Sequence, residues 1–146
     1  MIVKVYPQFD FYNTTQFNDT NVEQSNSDFF ICLNSSGHIH SVPHFKFKHY
    51  NVLNMFFDDT DTNRIKVTGN LVYYAWACTN HQADLIRNFI DTIPQDATIH
   101  IYCAKGKSRS PAVAKFIEEY KNLNIDNDYY TYNTHIYHLL KDSNGF

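Results

Sequence analysis

The sequence predicts an α/β fold, a central, mostly parallel sheet flanked by helices. Short runs of β-branched and aromatic residues alternate along the chain with segments of helical periodicity, the pattern that builds such layers. The run Phe29-Phe30-Ile31-Cys32-Leu33 is apolar throughout and closed by Asn34-Ser35-Ser36-Gly37, which marks a buried strand ending in a turn. The chain has 146 residues, 43% of them hydrophobic and 16% aromatic, enough for one domain (1–146) with a packed core.

Residues 2–6 follow Met1 as a short strand-like run. Residues 7–26 are polar and turn-rich with scattered Phe and Tyr, and read as a long loop or irregular segment. After the strand at 29–33, residues 52–57 predict another, followed by the acidic turn Asp58-Asp59-Thr60-Asp61. Residues 64–78 mix β-branched and aromatic residues with an interrupting Gly69-Asn70, and no single period wins. Ala83, Ile86, Phe89 and Ile90 repeat at helical spacing. They predict a helix over 82–92, capped by Thr79 or Asn80, with Pro94 beyond its end. Residues 98–102 read as a β-branched strand. Pro111 suits the first turn of a helix over 111–123, whose inward stripe is Val113, Phe116, Ile117 and Tyr120. Asn133 is placed to cap a last helix running through Leu140.

The formal charge of -3 and pI of about 6.2 exclude a global basic field for nucleic acid and a polybasic membrane signal. No apolar stretch is long enough to span a bilayer, and no signal peptide is evident. The three cysteines, Cys32, Cys78 and Cys103, form no CxxC pair and no disulfide framework. These features predict a monomer of the reducing cytoplasm, with Cys32 and Cys78 as buried core thiols.

The segment Thr98-Ile99-His100-Ile101-Tyr102-Cys103-Ala104-Lys105-Gly106-Lys107-Ser108-Arg109-Ser110-Pro111 carries the chemistry. A strand ends at Cys103 and a helix begins near Ser110. Between them Ala104, Lys105, Gly106, Lys107 and Ser108 form a loop whose backbone N–H groups can converge on a phosphate at the positive helix terminus. Gly106 permits a backbone conformation that a Cβ resists. Arg109 offers a planar fork for two phosphate oxygens. The same positive surroundings favour a thiolate nucleophile at Cys103.

Cys103-x5-Arg109-Ser110 resembles the phosphate-binding loop of the cysteine-based protein tyrosine phosphatases. Ser108-Arg109-Ser110-Pro111-Ala112-Val113-Ala114 is similar to their compact dual-specificity branch, and Phe57-Asp58-Asp59 resembles that branch's acid loop. The likeness spans roughly residues 27–140. Low-molecular-weight tyrosine phosphatases also carry a Cys-x5-Arg-Ser-Pro loop, but near the N-terminus, whereas here it lies late in the chain. One residue departs from the pattern: the family has His before the cysteine, and this chain has Tyr102.

The resemblance implies hydrolysis of a phosphate monoester through a cysteinyl-phosphate, with no metal or organic cofactor. It implies that the Ser110 hydroxyl assists departure of the Cys103 sulfur, a role compatible with capping the helix. It selects Asp59 as general acid over Asp58 and Asp61. The implied substrate is a phosphorylated protein; a phosphorylated RNA end, a phosphoinositide head group and a non-catalytic phosphate-binding role are the alternatives. Lys105 and Lys107 are either solvated loop lysines or selectors of a more highly charged substrate. His38, His40, His44 and His49 cluster in sequence without a Cys or carboxylate that completes a metal set. Tyr129, Tyr130 and Tyr132 are expected to pack or to line a groove.

Overall fold

The computed structural model describes residues 1–36, 42–123 and 131–142. Four parallel strands form the central sheet: β1 (Ile2–Pro7), β2 (Asp28–Asn34), β3 (Val52–Phe56) and, after a hairpin, β6 (Thr98–Cys103). Their spatial order is β1-β6-β2-β3. The hairpin is β4 (Arg64–Thr68) and β5 (Leu71–Ala75), an antiparallel pair outside the sheet. Helices are α1 (Gln8–Thr14), α2 (Asn80–Asp91), α3 (Arg109–Tyr120) and α4 (Thr134–Asp142).

Successive strand residues point to opposite faces, and here both faces are covered. Phe29, Ile31 and Leu33 of β2 join Ile99, Ile101 and Cys103 of β6 in one core, closed by Ile86, Val113, Phe116 and Leu140 from α2, α3 and α4. Phe30, Cys32 and Tyr102 point the other way, into a second cluster with Phe11, Val22 and Phe45. The 29–33 stretch of β2 is therefore continuously apolar, as a parallel strand covered on both sides is expected to be.

The periodicity locates α2, α3 and α4 to within a few residues. Thr79 caps α2 in a capping box, its hydroxyl accepting from the Gln82 N–H while the Gln82 side chain accepts from the Thr79 N–H. Asn133 Oδ1 accepts from the Ile136 N–H at 3.0 Å and caps α4. Two expectations change. Residues 7–26 are not all loop: Gln8–Thr14 is a helix, held by burial of Phe11 rather than by a capping side chain. The unassigned stretch 64–78 holds the hairpin, turning at Gly69-Asn70, with Gly69 at φ +61°.

A buried imidazole, His49, packs against Phe45 of the second cluster. His49 Nε2 lies 2.7 Å from Asp19 Oδ1, and Nδ1 lies 3.4 Å from Glu23 Oε2. Burial opposes its charge, but Asp19 and Glu23 prevail and hold the His49 pKa above the ordinary imidazole value. A raised folded-state value means this contribution to stability is full below the unfolded-state pKa and is lost as pH rises through the folded one. His49→Gln should therefore flatten the fall in urea midpoint as pH rises across that window; an unchanged slope would assign it to other groups.

Candidate active site

Strand β6 delivers Cys103 to the end of the sheet, and α3 starts six residues on at Arg109. The loop between them is braced from both sides. The Ala104 carbonyl accepts from the Gln8 N–H at 3.3 Å, the Lys107 carbonyl from Thr131 Oγ1 at 2.9 Å, and the Ser108 carbonyl from the Asn133 N–H at 3.0 Å. In a trans peptide, C=O and the following N–H point opposite ways. The N–H groups of Lys105, Ser108 and Arg109 therefore point away from these braces, and all three residues line the same cleft. Gly106 sits at φ +66°, and a Cβ there would stand 2.6 Å from Pro7 N and 2.8 Å from the Tyr6 carbonyl carbon. Glycine is required twice over, for conformation and for close approach to β1.

Cys103 Sγ lies 3.0 Å from Ser110 Oγ and accepts from the Ser110 N–H at 3.4 Å. Ser110 is not the helix cap: Ser108 occupies that position, and Ser110 is the second residue of α3, buried under the sulfur. The buried Arg109 donates Nη1 to the Phe57 carbonyl at 2.8 Å and to Ser35 Oγ at 3.1 Å. Its Nε and Nη2 have no acceptor among the described residues, which leaves one edge of the fork for an anion.

The three acids of the 58–61 turn separate cleanly. Asp58 is buried and accepts from the Ser36 N–H, the Ser36 hydroxyl and the Trp76 N–H, fastening the hairpin to the end of β2. Asp61 pairs with Arg64 at the surface. Asp59 is exposed and docks on the Cys103–Arg109 loop: its Oδ1 accepts from Ser108 Oγ at 2.7 Å and from Asn133 Nδ2 at 2.9 Å. Both donors reach the same oxygen, so Oδ2 is the one left to carry or take a proton.

Cys103, Arg109 and Asp59 line one cleft of about 800 Å³. Gln8, Phe9, Tyr12 and Asn13 of α1 form one wall, and Lys66 and Tyr73 of the hairpin contribute to the other. Lys105 and Lys107 are exposed and line the cleft as well. Sequence reasoning missed the α1 wall, Lys66, Tyr73 and Ser35, and saw in Asn133 only a cap. Nothing in local periodicity reports these roles, since each joins residues far apart in the chain.

Tyr102 faces away from the sulfur. Its ring stacks on Phe11 in the second cluster, and its hydroxyl donates to Asn34 Oδ1 at 2.7 Å. Burial drives the pKa of that hydroxyl far upward. Cys32 is likewise a buried thiol pushed up by burial, and Cys78 is pushed up to about 12 by the same cause. His44 and His49 are engaged elsewhere, His44 Nε2 with the Phe17 carbonyl at 2.6 Å and His49 with Asp19. Among the described residues no His, Cys, Asp or Glu cluster could hold a metal, and no helix is long and apolar enough to cross a membrane. His38, His40, Tyr129 and Tyr130 lie outside the described residues; Tyr132 packs edge-on against Tyr137. Scans against protein-family models, curated proteins and solved structures find no match for this chain.

Proposed function

We propose that this protein is a cysteine-dependent phosphate monoester hydrolase of the protein tyrosine phosphatase type, in its compact dual-specificity form. One arrangement carries the reading. Cys103 rests on the Ser110 hydroxyl, the buried Arg109 stands beside it, and Asp59 is tied by Ser108 to the same loop. The order of elements supports a fold of that type: the acid turn follows β3, and the phosphate-binding loop joins β6 to α3.

In the first step the Cys103 thiolate attacks phosphorus, the P–O ester bond breaks, and Asp59 Oδ2 gives its proton to the departing oxygen. Arg109 and the loop N–H groups hold the equatorial oxygens. In the second step Asp59, now a carboxylate, takes a proton from water as that water attacks phosphorus. The P–S bond breaks, phosphate leaves, and the sulfur departs as a thiolate held by the Ser110 hydroxyl and N–H. A reducing cytoplasm is the proposed setting.

The acid role is open to a direct test. Proton transfer matters most where the departing oxygen is basic. Asp59→Asn is therefore expected to slow an alkyl or tyrosyl phosphate far more than a nitrophenyl phosphate, while Asp58→Asn and Asp61→Asn leave that ratio alone. Asn133→Ala, which removes one donor from Oδ1, should shift the ratio in the same direction by a smaller factor. If Asp58→Asn reproduces the leaving-group dependence instead, Asp59 is not the acid.

A further inference from the structure

We propose that the β4–β5 hairpin seats the protein on a membrane surface, and that the cleft beside it takes the phosphorylated head group of an anionic lipid. This rests on the phosphatase reading of the same cleft and names its substrate class.

The register pairs Ile65 with Tyr74 and Val67 with Val72, so these four share one face of the ribbon. Val67 and Val72 are 68% and 67% exposed, and Trp76, which follows β5, is 50% exposed. A two-stranded ribbon has no core of its own in which to bury such a face. A contiguous exposed apolar patch marks a contact surface. From Ile65 to Cys78 the only charged residue is Lys66. The apolar residues are also graded. On this face Val67 and Val72 lie near the Gly69-Asn70 turn; Tyr74, paired with Ile65, and Trp76, with rings 6.0 Å apart, lie toward the base. Valines near the tip and aromatic rings concentrated behind them match the depth profile of a bilayer interface.

The reverse face explains why this surface adjoins the cleft. Lys66 and Tyr73 are cross-strand partners there, and both line the cleft together with Lys105 and Lys107 of the phosphate-binding loop. Among the described residues none of these three lysines is in a salt bridge. The reactive phosphate would occupy the loop and Arg109, which leaves the lysines for further phosphates on the same head group. A protein partner is met through an apolar centre with a polar rim. This face carries no charge, and its cations lie behind it, where lipid head groups would stand. With a formal charge of -3 the whole chain is not drawn to anionic lipid, so attachment depends on apolar insertion plus these local lysines.

Trp76 is the sole tryptophan and reports insertion directly. The full chain is mixed with phosphatidylcholine vesicles, with or without phosphatidylinositol bisphosphate, and Trp76 emission, co-sedimentation and phosphate release are followed. A blue shift and phosphate release on the phosphorylated vesicles are expected. Val67→Ser with Val72→Ser alters exposed side chains only. It should weaken vesicle binding and lipid turnover at least about tenfold while nitrophenyl phosphate turnover stays unchanged. Turnover of nitrophenyl phosphate with no emission shift on either vesicle would overturn the membrane proposal alone. An equal shift on plain phosphatidylcholine would overturn head-group recognition. Faster turnover of a phosphotyrosine peptide than of the lipid would assign the hairpin to a protein partner. Turnover of no phosphate ester at all would overturn the phosphatase reading beneath it.

Discussion

Cys103→Ser is expected to abolish turnover of nitrophenyl phosphate while the protein still binds a phosphate-like oxyanion such as sulfate. Attack and caging belong to different atoms here. In the proposed mechanism the nucleophile is one sulfur, whereas the cage consists of Arg109 and backbone groups braced by Gln8, Thr131 and Asn133. A serine hydroxyl fits the space of the thiol beside Ser110, so loop geometry should survive, but it is a far weaker nucleophile and a far poorer leaving group. Calorimetric titration with sulfate and a steady-state assay read the two properties separately. Residual turnover at a substantial fraction of the wild-type rate would exclude a cysteinyl-phosphate route.

Arg109→Lys should cost about two orders of magnitude or more in kcat/KM, the scale of losing a fixed oxyanion donor. Lysine keeps the charge but has no fork, so it cannot donate to the Phe57 carbonyl and Ser35 while presenting two parallel N–H groups to phosphate. Folding should suffer too. The buried Phe57 carbonyl would lose its guanidinium donor, a loss of roughly 1–3 kcal/mol for an unsatisfied group. Kinetics and thermal denaturation of the same variant separate these effects. A lysine variant with near-wild-type kcat/KM would show that charge suffices and that the fork has no role in the reaction.

The local features of the fold were legible because short-range rules decide them. Phe29–Leu33 could be read as a buried strand from composition, α2 from its helical period and its cap, and the Cys103–Arg109 loop from one spacing. What was hidden depends on distant partners. Helix α1 has seven residues and no capping side chain; such a helix is marginal alone and exists because Phe11 is buried against Tyr102 and Phe30. The hairpin defeated the periodicity because its outer face is apolar although exposed, so burial and hydropathy disagree there. Ser110 was misplaced as a cap because Ser108, two residues earlier, starts the helix and spends its hydroxyl on Asp59. Of the acids, sequence proximity offered Asp58, Asp59 and Asp61 together. Only the fold reveals that Asp58 is engaged by three donors and Asp61 by Arg64.

The braces on the Cys103–Arg109 loop also bear on the order in which the protein matures. Gln8 and the Tyr6–Pro7 backbone are made well before the loop, and Thr131 and Asn133 after it. A ribosome-bound chain that has exposed Cys103 and Arg109 still lacks the groups that brace the Lys107 and Ser108 carbonyls and the second donor to Asp59. Closing contacts over such sequence separations is slow compared with local helix formation. Catalytic competence should therefore trail the appearance of secondary structure during synthesis, and a nascent chain stalled before residue 131 emerges should contain the nucleophile yet be inert toward phosphate esters.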